Sequence, residues 1–248
     1  MIHSYFHQLK ELLDIVEEKE KTAIGEASLK ISDCIQSGGI IHVFGCGHSH
    51  LLGEELFYRA GGLVPVSPLF VEDLMLHKGA LRSSRLEQEN NYADSFMKDA
   101  DIRPEDVVIV ASNSGRNPVP IDAALLSKEK GAFVIGVTSL DYVGKQSSRH
   151  KDGLFLYEAV DLAINNHIPA GDALMTDERV DVSFGPGSTI IGVSIVNAIM
   201  AETVKLLADR KIDPPIFKSG NMDGAEEHNR RLIQKYQNRI PLLGSDPL

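Results

Sequence analysis

Cysteine is scarce: Cys34 and Cys46 are the only two in 248 residues. That excludes a disulfide framework, and the apolar neighbours of both point to reduced thiols in a cytoplasmic protein. Positive charge is in deficit as well. Lys and Arg number 25 against 35 Asp and Glu, a formal net charge of -10, so the overall field repels nucleic acid and anionic membranes. An anionic ligand therefore has to be held by local groups. No run of about 18 consecutive apolar residues occurs, as a membrane helix needs. The first 21 residues lack both the basic start and the unbroken apolar core of a targeting segment. Linkers rich in Pro, Gly and Ser are missing, as are low-complexity tracts. What remains is an ordinary globular composition, 43% hydrophobic and 24% charged, read most simply as one domain with helical additions at both ends.

The apolar residues are organised. Phe6, Leu9, Leu12, Leu13, Val16, Ala23, Ala27, Ile31 and Ile35 recur at spacings of mostly three and four, which predicts one long amphipathic helix over residues 3–37, stopped by Gly38-Gly39. The run 40–44 then predicts a strand, ending in Gly45-Cys46-Gly47-His48-Ser49-His50 before helical spacing returns at Leu51. A nearly continuous apolar run at 106–111 breaks at Ser112-Asn113-Ser114-Gly115-Arg116-Asn117 and is followed by a helix from Pro118 to Lys130. Residues 132–138 predict a third strand and 153–157 a fourth, the remainder of 141–182 being mostly loop with short strands. Gly185-Pro186-Gly187-Ser188-Thr189 introduces an apolar helix over 190–207, and a charged helix over 225–239 carries Leu232, Ile233 and Tyr236 on one side. Strands covered on both faces and joined by helices give a doubly wound parallel α/β sheet, whose ligands lie beyond the carboxyl ends of the strands.

Two polar loops fall at those ends. Gly45-x-Gly47 lets the backbone approach an anion, and the helix that follows aims free N–H groups at it. Read alone, the loop fits a tight turn as well as an anion cradle. It is not the dinucleotide fingerprint, because His50 stands where the third glycine belongs, and it is not a Walker loop. Ser112-Asn113-Ser114 adds hydroxyls and an amide suited to a phosphate monoester without a lysine, although the same residues cap helices. Ser188-Thr189 would be a third such point. Cys46, His48 and His50 alternate in a manner that invites a zinc hypothesis, but a glycine turn gives no reason for the three side chains to converge and no fourth ligand has telling spacing, so no metal is assigned.

The loop Gly45-x-Gly47-x-Ser49, the loop Ser112-Asn113-Ser114-Gly115-Arg116-Asn117 and the strand 132–138 one helix later resemble the sugar isomerase (SIS) domain of phosphosugar isomerases and phosphosugar-binding regulators. The resemblance covers about residues 35–210. It implies a three-layer α/β/α sandwich on a five-stranded parallel sheet, flavodoxin-like in its winding, in a homodimer or homotetramer that binds a phosphorylated sugar. Carried over residue by residue it implies Ser49, Ser112 and Ser114 as phosphate ligands. Asn117 stands where the pattern has Thr or Ser, and Gly47, His48 and Asn113 complete the loops. The division implied is an N-terminal helix over 1–37, the phosphosugar-binding domain over 38–210 and a C-terminal tail over 211–248.

The chain is most similar to a bacterial single-domain branch lying between phosphoheptose isomerases and N-acetylmuramic acid 6-phosphate etherases. Against etherase chemistry, Arg59 or its neighbours stand where that pattern has a glutamate, and Glu87-Gln88-Glu89 matches its second acidic stretch only loosely. An aldose-ketose isomerase passes through an enediol and needs a carboxylate or imidazole base with a second group to shuttle protons. Glu72, Glu87 and Glu89 fall between the two loops, and His48, His50 and His228 are the candidate acids. The leading candidates are Glu72, Glu87, His50 and His228, with no redox cofactor. The alternatives are a phosphosugar lyase and a phosphosugar sensor without turnover.

Overall fold

The chain begins with two helices, α1 (Ile2–Lys19) and α2 (Lys21–Gln36). Next come β1 (Ile41–Gly45), a 3-10 turn (Gly47–His50) running into α3 (Leu51–Leu56), β2 (Val66–Pro68), α4 (Ala80–Leu86) and α5 (Asp94–Met97). The series continues with β3 (Val107–Ala111), α6 (Pro118–Glu129), β4 (Phe133–Thr138), α7 (Leu156–Ala159) and β5 (Leu162–Asn165). A two-stranded antiparallel hairpin, β6 (Met175–Asp177) and β7 (Val180–Phe184), precedes α8 (Ser188–Asp209), and α9 (Ala225–Tyr236) follows. This is a computed structural model, and it describes residues 1–244.

The main sheet has the order β2-β1-β3-β4-β5 and is parallel throughout. Ile41 lies opposite Val66 on one side and Val107 on the other, and Val107 opposite Phe133. Side chains alternate between two covered faces. Ile41, Val43, Val107, Ile109, Ile135 and Val137 pack with α1, α2, α3 and α8, whereas Phe44, Val108, Val110 and Val134 pack with α5, α6 and α7. Each fully buried Val or Ile contributes about 1.5–3 kcal/mol of transfer free energy, so three layers follow from the alternation. The strand order reverses between β1 and β3, and a crevice opens at such a point beyond the carboxyl ends of the strands.

Two expectations are corrected. The single N-terminal helix is two, broken at Glu20 (φ -100°, ψ 1°). Its carboxylate accepts from Asn165 N at 3.2 Å and meets His167 Nε2 at 2.8 Å, so the break fastens the helical pair to the end of β5. Residues 153–157 are not a strand. Phe155 N donates to Glu158 Oε2 at 2.8 Å and opens α7, and the strand beside β4 is Leu162–Asn165. A short apolar run carries no period long enough to tell the two apart. Strand β2 carries no strand signal in the sequence because Pro65 precedes it and Pro68 is its last residue, which an edge strand tolerates.

Helix α8 is the one helix among the described residues long and apolar enough to cross a membrane, and here it is the core helix, with Ile191, Ile195, Val196 and Ile199 buried. Helix α9 packs Tyr236 with Ile40, Val64, Phe217 and Ile240 at the other end of the sheet. Beside that cluster the buried Asp106 accepts from Ile40 N (2.7 Å), Arg103 N (2.8 Å) and Arg239 Nη2 (2.7 Å) and meets His42 Nε2 (3.2 Å). Burial alone would raise this carboxyl. The bonds from His42, Arg239 and the two amides outweigh it and hold the pKa well below the usual carboxylate range. A depressed carboxyl stabilises the fold above its unfolded pKa and ceases to do so as pH falls through the folded value. Arg239→Ala is expected to lose about 1.5–3 kcal/mol in urea unfolding at pH 7, with the deficit shrinking in strong acid. An unchanged midpoint at pH 7 contradicts the staple.

Candidate functional site

Strand β1 ends at Gly45 because the chain must fold straight back: a Cβ there would stand 2.6 Å from the carbonyl of Ser49. Cys46 stays extended and buried, its carbonyl accepts from Ser49 N at 2.9 Å, and the 3-10 turn then carries Ser49 outward. At the end of β3, Ser112 N donates to Val137 O (3.0 Å) and Asn113 O accepts from Ser139 N (2.9 Å), so the second loop is pinned along β4. Gly115 makes the turn at φ +58°, and a Cβ on it would lie 2.5 Å from Thr138 Oγ1. Gly115→Ala is therefore expected to cost at least about 1–2 kcal/mol for the left-handed backbone and to loosen the loop. Chemical denaturation reads the first and ligand affinity the second.

Between these loops and the start of α8 lies a small, half-open crevice, walled by His48, Ser49, Ser112, Asn113, Asn166 and Ser188. No Lys, Arg, Asp or Glu lines it among the described residues. Its polarity comes from hydroxyls and amides. The N–H groups of Gly47, His48, Asn113 and Ser114 donate to nothing within the described residues, and Ser112 Oγ accepts from Gly115 N at 3.3 Å, leaving its own proton free. Asn113 Oδ1 accepts from Asn166 Nδ2 at 2.9 Å, which turns the Asn113 amide N–H groups away from that bond. Uncommitted donors of this kind, at the ends of parallel strands, form an anion-binding concavity without a formal cation.

Glu87 follows α4 and reaches between the two loops. Burial pushes its carboxyl above the ordinary glutamate value, against a hydrogen bond from Asn117 and the charge of Arg149, and its own charge is felt by the Cys46 thiol. Arg149 Nη1 donates to Asn117 Oδ1 at 2.9 Å, so Asn117 is engaged with this pair and does not line the crevice. Burial also drives the Cys46 thiol well above its ordinary value, the reverse of what a nucleophile requires.

The other candidates are dispersed. Glu72 is exposed and paired with Lys78 at 2.5 Å, and Glu89 is exposed too. Half-buried His228 donates from Nε2 to the carbonyl of Ile216 (2.9 Å) on the tail side. His50 turns its Nδ1 back onto the Gly47 carbonyl and its Nε2 toward Glu54 at 3.5 Å, bracing the turn from outside the crevice. None of Glu72, Glu87, His50 and His228 thus lines the crevice within this chain, although Glu87 approaches both loops and His50 belongs to the first. Ser114 sits in the second loop but not on the crevice wall. Among the described residues no group of three His, Cys, Asp or Glu stands close enough to share a metal.

Sequence reasoning missed Asn166, Arg149 and Asp172. Asn166 had a signal available, since it ends a strand as the two polar loops do. Its N–H donates to Thr138 O at 2.9 Å, which places the side chain opposite Asn113. Arg149 and Asp172 come from long loops whose approach to the site depends on tertiary packing.

Comparison with known proteins agrees with this layout. A family model described as the SIS domain matches residues 4–139. A UPF0309 protein of Halalkalibacterium halodurans is 58% identical over 246 residues, covering 99% of this chain and 98% of the relative. Another from Geobacillus kaustophilus is 57% identical over 243 residues, covering 98% and 97%. Among solved structures, a phosphoheptose isomerase from Neisseria gonorrhoeae superposes with a TM-score of 0.55 at 17% identity, covering 82% of this chain and 97% of that one. The sugar isomerase domain of an RpiR transcription factor from Sphaerobacter thermophilus gives 0.54 at 14% identity, covering 94% and 98%. Those two likenesses concern the fold, and with the family match and the close relatives they lead to one assignment: the chain belongs to the SIS domain family, among its UPF0309 proteins.

Proposed function

We propose that the crevice binds the phosphate of a phosphorylated sugar, and that the protein interconverts an aldose and a ketose of a sugar or amino-sugar phosphate. The observation that carries the reading is the set of uncommitted donors on the crevice wall, the Ser49 and Ser112 hydroxyls and the His48 and Asn113 N–H groups, with those of Gly47 and Ser114 next to them in the same loops, where the strand order reverses. Each charge-assisted bond from such a donor to a phosphate oxygen is short and strong, and a dianion can be held without a lysine.

Glu87 is the proton carrier in this reading. It removes the proton from the carbon beside the carbonyl, leaving an enediol, and returns it to the adjacent carbon while the hydroxyl proton passes between the two oxygens. A carboxyl raised by burial is closer in basicity to that task than an exposed one. Asn117 and Arg149 orient it. Because the carboxylate is the working form, turnover rises with pH through this raised value. Running the reaction in deuterated water with the wild type and Glu87→Gln tests the chemistry: solvent deuterium at the carbon that receives the proton marks the enediol route, and undiminished incorporation in the variant contradicts the role of Glu87.

A sensor without turnover is the second reading. It is favoured by Glu87 being the one acid-base candidate from the polar stretch that approaches the loops. Assembly into a homodimer or homotetramer is proposed too, since Ile190 on α8 is exposed and a groove between α1, α2 and α8 is lined by Leu13, Val16, Ile24 and Ile195 beside Glu17, Lys21 and Glu202.

A further inference from the structure

Ser188, at the first turn of α8, faces the crevice with its proton already committed. Its Oγ donates to Asp172 Oδ2 at 2.6 Å, while Asp172 Oδ1 accepts from Gly187 N at 3.0 Å and Ser188 N at 2.9 Å. Asp172 is held for this in a left-handed conformation, φ +52°, directly after Gly171 at φ +103°, a backbone state that Asp accepts more readily than most residues. A hydroxyl has one proton and two lone pairs. Once the proton is spent on a carboxylate, only lone pairs remain for a ligand, and the nearby carboxylate adds negative potential. The two ends of the crevice therefore differ: Ser49 and Ser112 donate, whereas Ser188 accepts.

We propose that the Asp172–Ser188 pair is a specificity device that selects a hydrogen-bond donor on the sugar, a hydroxyl, an amine or an acylamino N–H, and rejects an anionic group at that end. This rests on the reading of the crevice as a phosphosugar site and narrows it: the ligand is a neutral or amino-sugar phosphate, not the phosphate of a sugar acid. The direction of binding follows, with phosphate on the two loops and the sugar toward α8.

Asp172→Asn reverses the pair. The amide oxygen keeps both backbone bonds, while the amide N–H group donates to Ser188 Oγ and frees its proton toward the crevice. Affinities of the full chain for a hexosamine 6-phosphate, the matching hexonic acid 6-phosphate and inorganic phosphate are measured by calorimetry for the wild type, Asp172→Asn and Ser188→Ala. The wild type is expected to prefer the hexosamine phosphate. Asp172→Asn is expected to shift the ratio toward the acid by about tenfold or more, with inorganic phosphate affinity unchanged. Ser188→Ala leaves the cap of Asp172 on the backbone N–H groups intact and is expected to lose the hydroxyl's share of the preference for the hexosamine phosphate while the carboxylate still disfavours the acid, a reduced ratio without reversal, so it carries the test if the first variant does not fold. Ratios equal to wild type in both variants overturn the proposal while leaving the phosphosugar site standing. No binding of either sugar phosphate by the wild type overturns the reading of the crevice itself.

Discussion

Glu87→Gln is expected to reduce turnover of the phosphosugar by about 10²–10⁴-fold, the range contributed by a positioned general base, with its dissociation constant within a few-fold of the wild type. Glutamine keeps the shape of the side chain and a carbonyl oxygen for the Asn117 amide, so the bridge between the loops survives. What is lost is the ability to take a proton. The pH dependence gives a second readout. Burial raises the Glu87 carboxyl, and a group whose folded pKa is raised stabilises the fold below its unfolded value and ceases to do so as pH rises through the folded one. The wild type thus gains activity over the same interval in which Glu87 withdraws stability. Glu87→Gln removes both effects, making unfolding less dependent on pH there and leaving the protein at pH 7 as stable as the wild type or more so. Retained turnover in the variant removes Glu87 from the mechanism. Binding without turnover in the wild type itself favours the sensor.

Ser49→Ala combined with Ser112→Ala is expected to weaken phosphosugar binding by about 1–3 kcal/mol for each lost charge-assisted bond, a combined loss well beyond tenfold. Stability should change little, because neither hydroxyl donates a bond within the described residues and Ser112 Oγ accepts only a 3.3 Å bond from Gly115 N. Replacing Ser114 offers the internal comparison. It lies in the same loop but off the crevice wall, so its hydroxyl contributes less than that of Ser112, although its backbone N–H remains available. Calorimetry on the single and double variants reads this order, and equal affinity in the double variant removes the loops from the site.

Much of this was legible in the chain before folding because the sheet imposes its own grammar. Strands covered on both faces must be continuously apolar, so β1, β3 and β4 stood out, and the polar loops after β1 and β3 followed directly. The strands less exposed to that rule were harder: β2, framed by prolines at an edge, and β5, four residues long. Glu72 and Glu87 are both acids in the same polar stretch and could not be ranked by spacing. What separates them is that Glu72 finds Lys78 at the surface while Glu87 is carried by the end of α4 into the gap between Cys46 and Asn117. Asp172 illustrates the remaining limit. It stands 16 residues from Ser188 across a hairpin, and nothing in either residue's neighbourhood announces the pairing. The glycines at 185 and 187 and the left-handed turn at 171–172 create it only in three dimensions.

The central claim is that the crevice holds a sugar by its phosphate, and a thermal-shift screen tests it most directly. Heptose, hexose, amino-hexose and N-acetylmuramic acid 6-phosphates are compared with their unphosphorylated counterparts, since a ligand that binds the native state raises the melting temperature by mass action. The account predicts a shift confined to phosphorylated ligands, largest for a neutral or amino sugar and abolished by Ser49→Ala with Ser112→Ala. Equal shifts for phosphorylated and free sugars, or no shift with any of them, would contradict it.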